Sequence, residues 1–270
     1  MSHVISNDGT TIAYERIGAG PAVILIDGAL GYRAFMGSCP LADALSDACS
    51  VITYDRRGRG ESSDTLPYAV EREIEDIEAL IDVVGGSVSL FGQSSGAALV
   101  LEAAIKLGAK ATRLALYEPP YNDDPNAQQT WNAYITRLNQ ALAAGRNDDA
   151  VALFMALTGA SAEDIAAVRQ DPMWAGFAKV APTLAYDHSA LLGEYAAVPI
   201  ELASRIQTPA LMLCGGDSYP FMQVTARALS QALPRAQLRI LDGQTHEVNP
   251  EVLAPILAEF FTAPDDAHKG

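Results

Sequence analysis

Cysteine is scarce. The 270 residues hold three, Cys39, Cys49 and Cys214, an odd number with no metal-like spacing. That excludes a disulfide framework and leaves a reduced, cytoplasmic protein as the expectation. Basic residues are also few. There are 18 Lys and Arg against 33 Asp and Glu, for a formal net charge of −15. Such a surface repels phosphate backbones and anionic lipid, which argues against nucleic acid and membranes as partners. No apolar run approaches the length of a bilayer span. The opening stretch, Met1 to Gly9, has neither the basic start nor the apolar segment of a secretory leader, so it reads as the beginning of a folded strand. Internal repeats and low-complexity segments are absent. The four histidines, His3, His188, His246 and His268, are too scattered to suggest a metal centre.

What is present is enough apolar sequence, 49% of the chain, to bury a large core. The length suits one large α/β domain carrying an insertion. Val4 to Ile17, broken at Asn7-Asp8-Gly9, reads as a hairpin. Short apolar runs at Ala22–Ile26 and Ser50–Tyr54 read as central strands. Helix spacing of Val70, Ile74, Ile77, Ile81 and Val84 predicts a helix over 71–84. A strand over 88–91, a helix over 97–107 and a strand over 112–117 follow. From Tyr121 to Gln207 the chain is Ala-rich and strand-free, with helices expected at 131–143, 148–157 and 162–168. Strands at 209–214 and 237–241 and helices at 221–233 and 251–261 complete it. The alternation implies a mostly parallel sheet with helices on both faces.

The chemistry centres on Gly92-Gln93-Ser94-Ser95-Gly96. Between a strand and a helix, G-x-S-x-G forms a nucleophile elbow: a turn so tight that only glycine fits at its ends, with the Ser94 hydroxyl held at the end of the sheet. A serine hydroxyl needs a base at neutral pH. His246, just past a predicted core strand, lies where strand ends gather, whereas His188 lies in the insertion. The imidazole needs a carboxylate. Asp217, in Gly215-Gly216-Asp217, and Glu118, before Pro119-Pro120, both follow strands that end at the same edge. Asp217 is favoured and Glu118 is the competitor. The oxyanion needs two backbone N–H donors. Ser95 supplies one, and Ala29 or Gly28, in the loop after the first central strand, supplies the other. Arg56, Arg57 and Arg59 look like a phosphate nest but are expected to hold their loop.

These motifs, with Asp55-x-Arg57-Gly58-x-Gly60-x-Ser62, occur in the order seen in the α/β-hydrolase superfamily, which the chain resembles along nearly its whole length. The resemblance implies a core over 1–120, a helical cap insertion over 121–207 and a second core part over 208–262; the tail over 263–270 reads as disordered. It also implies a cofactor-free, metal-free serine hydrolase that cleaves a carboxylic ester or lactone through an acyl-serine intermediate. Its partner would be a small, fairly apolar molecule, and a homodimer is compatible with it. Leu30, Met173, Trp174 and His188 are the expected substrate contacts. The Asp27-Gly28 loop and Ser94-Ser95 pair are locally similar to zearalenone lactonases, in which the acid follows the strand after the elbow, at the position of Glu118 here. Asp27 replaces the usual His of the superfamily's oxyanion loop, so its carboxylate should turn away from the oxyanion and bond loop N–H groups. Alternative activities on the same fold are C–C bond hydrolysis, haloperoxidase-like perhydrolysis, and slow-turnover ligand reception.

Overall fold

The computed structural model describes residues 2–264. The tail expected over 263–270 therefore lies, from residue 265 onward, outside the described residues. The strands are β1 (Ser2–Ile5), β2 (Thr11–Ile17), β3 (Ala22–Ile26), β4 (Ser50–Tyr54), β5 (Val88–Gln93), β6 (Ala111–Tyr117), β7 (Ala210–Gly215) and β8 (Ala236–Leu241). They form one sheet in the order β1-β2-β4-β3-β5-β6-β7-β8. β2 is antiparallel to β1 and β4, and every other pairing is parallel. β3, β5, β6, β7 and β8 therefore all end at one edge of the sheet, followed by Asp27, Ser94, Glu118, Gly216 and Asp242.

Each central strand is apolar on both sides because both faces are covered. Ile24, Ile26, Leu90, Leu114, Leu116 and Met212 join the larger hydrophobic cluster with α2 (Val70–Val84), α3 (Ser95–Leu107) and α9 (Pro220–Ala232). Their neighbours Val23, Leu25, Phe91, Ala115, Tyr117, Leu211 and Leu213 face α1 (Cys39–Leu45) and α10 (Pro250–Thr262). This two-residue alternation is that of a pleated strand. Exposed large hydrophobics are confined to scattered positions such as Ile5, Leu66 and Val224.

Between β6 and β7 the chain is helical: α4 (Pro125–Ala143), α5 (Asn147–Leu157), α6 (Ala162–Val168), α7 (Met173–Val180), a π-helical turn (Ala185–Leu191) and α8 (Ile200–Ser204). α4 begins six residues before the sequence reading placed it, because Pro125 suits a first helical position and the Asp124 carboxylate accepts from the N–H groups of Asn126 and Ala127. α7 and the π turn went unread. Their apolar residues are broken by Pro182, and Asp187 and His188 look polar in isolation. α8 packs on α3 and α9, against the sheet's own helices. No helix among the described residues is long and apolar enough to cross a membrane.

Candidate active site

The elbow is strained where the motif requires it. Ser94 has φ 55° and ψ −125°, a left-handed conformation that costs an ordinary residue about 1–3 kcal/mol. The neighbouring glycines make it feasible. A Cβ on Gly92 would meet the Gly96 carbonyl oxygen at 2.3 Å, and one on Gly96 would meet the Ile26 carbonyl oxygen at 2.2 Å. Ser94 N–H donates to the Tyr117 carbonyl at 2.9 Å, which extends the β5–β6 ladder into the turn. Ser94 as a whole is half-buried. Ser95 opens α3, so its N–H lies at a helix N-terminus, where no intrahelical acceptor exists. A Cβ on Gly28 would lie 3.1 Å from Ser94 Cβ and 3.7 Å from its Oγ. The Gly28–Ala29 loop thus runs directly past the serine.

His246 follows β8 on a loop tied to three other strand ends. Gln93 Nε2 donates to the His246 carbonyl at 2.8 Å. Tyr117 Oη donates to the Thr245 carbonyl, and Asp217 N–H donates to the Gln244 carbonyl at 2.9 Å. The imidazole is 29% exposed, and its Nδ1 lies 2.6 Å from Glu118 Oε2, a carboxylate with no exposure at all. Glu118 sits at φ 48°, which turns its side chain inward from the end of β6.

The preference for Asp217 is corrected here. Asp217 is exposed, and its turn serves Glu118 instead. The Gly215 N–H donates to Glu118 Oε1 at 2.8 Å and the Ser218 hydroxyl to Oε2 at 2.8 Å. Cys214 Sγ donates to Oε1 at 3.2 Å. Burial alone would push the Glu118 carboxyl up, but His246, Gly215, Ser218 and Cys214 together hold it below the ordinary value. An ionised Glu118 is acceptor-only, so the proton of this bond sits on Nδ1. Burial, together with its bond to Glu118, pushes the Cys214 thiol up to about 12. Cys214 is thus an inert donor as well as the small buried residue its strand-end position suggested. Ser218 and Cys214 were missed as members of this cradle. Their one signal was adjacency to the Gly-Gly-Asp turn.

Asp27 is buried and bonds away from the serine. Its Oδ1 accepts from Ser38 N–H at 2.9 Å. Desolvation raises its pKa to about 6, against the opposing pull of Ser38, Arg59 and Arg56.

The three arginines are buried and paired with carboxylates rather than open to an anion. Arg57 bonds Asp76 and Asp8. Arg56 bonds Glu73 and Asp187, and Arg59 bonds Asp187. Asp187, in the π turn, also accepts from Ser95 Oγ at 2.9 Å, so the insertion docks directly beside the elbow. Burial opposes its charge, but Arg56 and Arg59 hold it below the usual carboxylate range. The sequence reading passed over Asp187. Three closely spaced arginines followed by a core helix were the signal that buried acids must exist to match them.

The expected substrate contacts fare unevenly. His188 is 4% exposed, with Nδ1 2.7 Å from Tyr134 Oη and with Trp131 and Phe154 against its ring. Desolvation lowers its pKa to about 4. Leu30 is buried in the larger cluster at φ 64°. Met173 is 46% exposed, and Trp174 is engaged within the insertion, donating from Nε1 to Asp148 and stacking under Arg169.

Comparison with known proteins agrees with this architecture. Residues 19–256 match the Alpha/beta hydrolase family. A crystal structure of an alpha/beta hydrolase from Sphaerobacter thermophilus is 47% identical, with a TM-score of 0.84, over 97% of this chain and 100% of that one. The proline iminopeptidase PfmaB of Pestalotiopsis fici is 26% identical over 51% of this chain and 52% of its own length. A RutD of Caulobacter segnis, whose carbamate-hydrolase assignment is itself provisional, is 30% identical over 47% of this chain and 50% of its own. The chain thus spans about half the length of these two curated relatives.

Proposed function

We propose that this chain, which belongs to the alpha/beta hydrolase family, is a serine hydrolase that cleaves a carboxylic ester or lactone of a small, fairly apolar acyl compound. The observation that carries the proposal is the 2.6 Å contact of His246 Nδ1 with the buried Glu118 carboxylate, at the sheet edge where the strained elbow presents Ser94.

In this reading Glu118 fixes the imidazole tautomer and stabilises the cation that forms. Ser94 Oγ attacks the substrate carbonyl carbon and its proton passes to His246 Nε2. The C=O π electrons move onto oxygen. That oxyanion is met by the N–H groups of Ser95 and Ala29, aided by the positive end of the α3 dipole. Collapse breaks the C–O bond, and the departing alkoxide takes the proton from Nε2. From an ester an alcohol leaves; from a lactone the new hydroxyl stays tethered to the acyl group. Water, deprotonated by His246, then attacks the acyl carbon and releases the acid and Ser94. The substrate would lie between the strand ends and the helical insertion. The elbow is one for acyl transfer in general, and a proline iminopeptidase and a RutD among the relatives fit acyl chemistry of this breadth.

The test is covalent labelling with a fluorophosphonate, followed by turnover of p-nitrophenyl esters and lactones of graded acyl size. The wild type should label at Ser94 and turn over short acyl esters, and Ser94→Ala should do neither while keeping its fold. A wild type that takes up no label and cleaves no ester or lactone would overturn the reading.

A further inference from the structure

One buried carboxylate of the insertion reaches both halves of the proposed oxyanion hole. Asp187 has no exposure. Its Oδ1 accepts from the Ser95 hydroxyl at 2.9 Å and from Arg56 at 2.6 Å, while its Oδ2 accepts from Arg59 at 2.5 Å. Ser95 is the residue whose N–H would bind the oxyanion. Arg59 carries the connection to the other half. Its Nη1 donates to the Gly28 carbonyl at 2.6 Å and to the Gly31 carbonyl at 3.3 Å. Arg56 Nη1, already on Asp187, donates to the Asp27 carbonyl at 3.1 Å.

A peptide unit is planar and trans, so its C=O and N–H point in opposite directions. An arginine that holds the Gly28 oxygen therefore turns the Ala29 N–H away from itself. The Gly28 oxygen also accepts from Gly31 N–H at 3.3 Å, so the loop closes on itself around that orientation. Ser94 and Leu30, with φ 55° and 64°, hold strained backbone on the two sides of the hole. Strained peptides persist only where surrounding bonds over-determine them. The hydrogen bonds named here converge on Asp187, which comes from the insertion and not from the elbow or the loop after β3. A π-helical turn presents it, a distortion found often at functional positions.

We propose that Asp187 is a positioning residue of the oxyanion hole: through the Ser95 hydroxyl and through Arg59 on the Gly28 carbonyl, it sets the direction of both backbone donors and makes catalysis depend on the docking of the insertion. The proposal rests on the hydrolase reading above. It assigns the residue no contact with substrate. Its effect should fall on the transition state, where the oxyanion exists, and not on ground-state binding.

Asp187→Asn keeps the shape and removes the charge that holds Arg59. Expected are a fall of about 10²-fold in kcat for a p-nitrophenyl ester, a KM within about threefold of wild type, and a parallel fall in the rate of fluorophosphonate labelling at Ser94. Ser95→Ala keeps the N–H and loses one bond, so kcat and labelling rate should fall about tenfold at unchanged KM. Combined with Asp187→Asn it should add little, because both act through one carboxylate. A folded Asp187→Asn with wild-type kcat and labelling rate overturns the proposal. Should that variant fail to fold, Ser95→Ala decides: reduced labelling supports the proposal and a wild-type rate overturns it. A wild type that does not label defeats the hydrolase reading and this proposal together, whereas a wild type that labels, with variants equally fast, defeats this proposal alone.

Discussion

Two histidines of this molecule each sit close to a buried carboxylate, and the two sites could hardly differ more. At the sheet edge His246 is 29% exposed and its Nδ1 is held by Glu118; in the proposed mechanism the other nitrogen takes the proton. In the insertion His188 is 4% exposed, its Nδ1 faces Tyr134, and aromatic rings enclose it. The adjacent Asp187 is committed to Arg56, Arg59 and Ser95. A base needs one satisfied nitrogen and one free, accessible nitrogen. In the proposed mechanism the edge supplies both. The insertion supplies a sealed ring whose charging is opposed by desolvation. What separates the two sites is how burial is divided. At the edge the acid is buried and the histidine open; in the insertion both are buried.

The largest effect that could break this comparison is on turnover. His246→Ala should lower kcat by about 10⁴-fold or more, and His188→Ala by far less. Steady-state rates on folded variants decide it, and a greater loss at His188 would move the base into the insertion. Next is the acid. Glu118→Gln should lower kcat by on the order of 10³–10⁴ by stabilising the wrong imidazole tautomer. Asp217→Asn should stay within about twofold, because that carboxylate is exposed. Comparable losses at both would mean that the acids share the histidine.

The third test concerns stability. The pKa of His188 falls from 6.5 to about 4 on folding, so between these values the unfolded chain binds more protons. The contribution of the neutral, buried ring is full above about pH 6.5 and is lost as pH falls toward 4. It amounts to on the order of 3 kcal/mol. Denaturant titrations from pH 7 to 4 should show a steep loss in wild type and a shallower one in His188→Gln. An unchanged slope would mean that the ring charges without cost.

The smallest effect has the opposite sign. The pKa of Asp27 rises from 3.8 to about 6, so in this window the folded state holds the extra proton and stability falls as pH rises. Asn at 27 can still accept from Ser38 N–H and is never ionised. Asp27→Asn should therefore raise stability at pH 7 by about 1–3 kcal/mol and leave it unchanged near pH 4. A variant less stable at pH 7 would show that the arginines beside the carboxylate outweigh its desolvation.

The sheet was legible in the sequence because its signals are local. Ala22–Ile26 and Ser50–Tyr54 are short apolar runs, and their ends could be read to the residue. Gly92 and Gly96 announce the elbow because the turn leaves no room for a Cβ, a constraint that acts within five residues. The position of His246 after a strand was readable for the same reason. What the chain itself could not disclose is where side chains go once distant segments meet. Asp217 and Glu118 look equivalent in sequence, each following a strand that ends at the same edge. Only the left-handed turn at Glu118, with the Gly215 N–H and Ser218 hydroxyl waiting across the strand, sends one inward and leaves the other in water. Asp187 is as tertiary as a residue can be. Its partners Arg56, Arg59 and Ser95 lie about ninety or more residues away, on elements that touch it only when the insertion lies down on the sheet. Backbone conformation and apolar pattern are properties of short stretches of chain. The pairing of buried charges depends on which groups are dehydrated together, and that is decided when the whole chain closes.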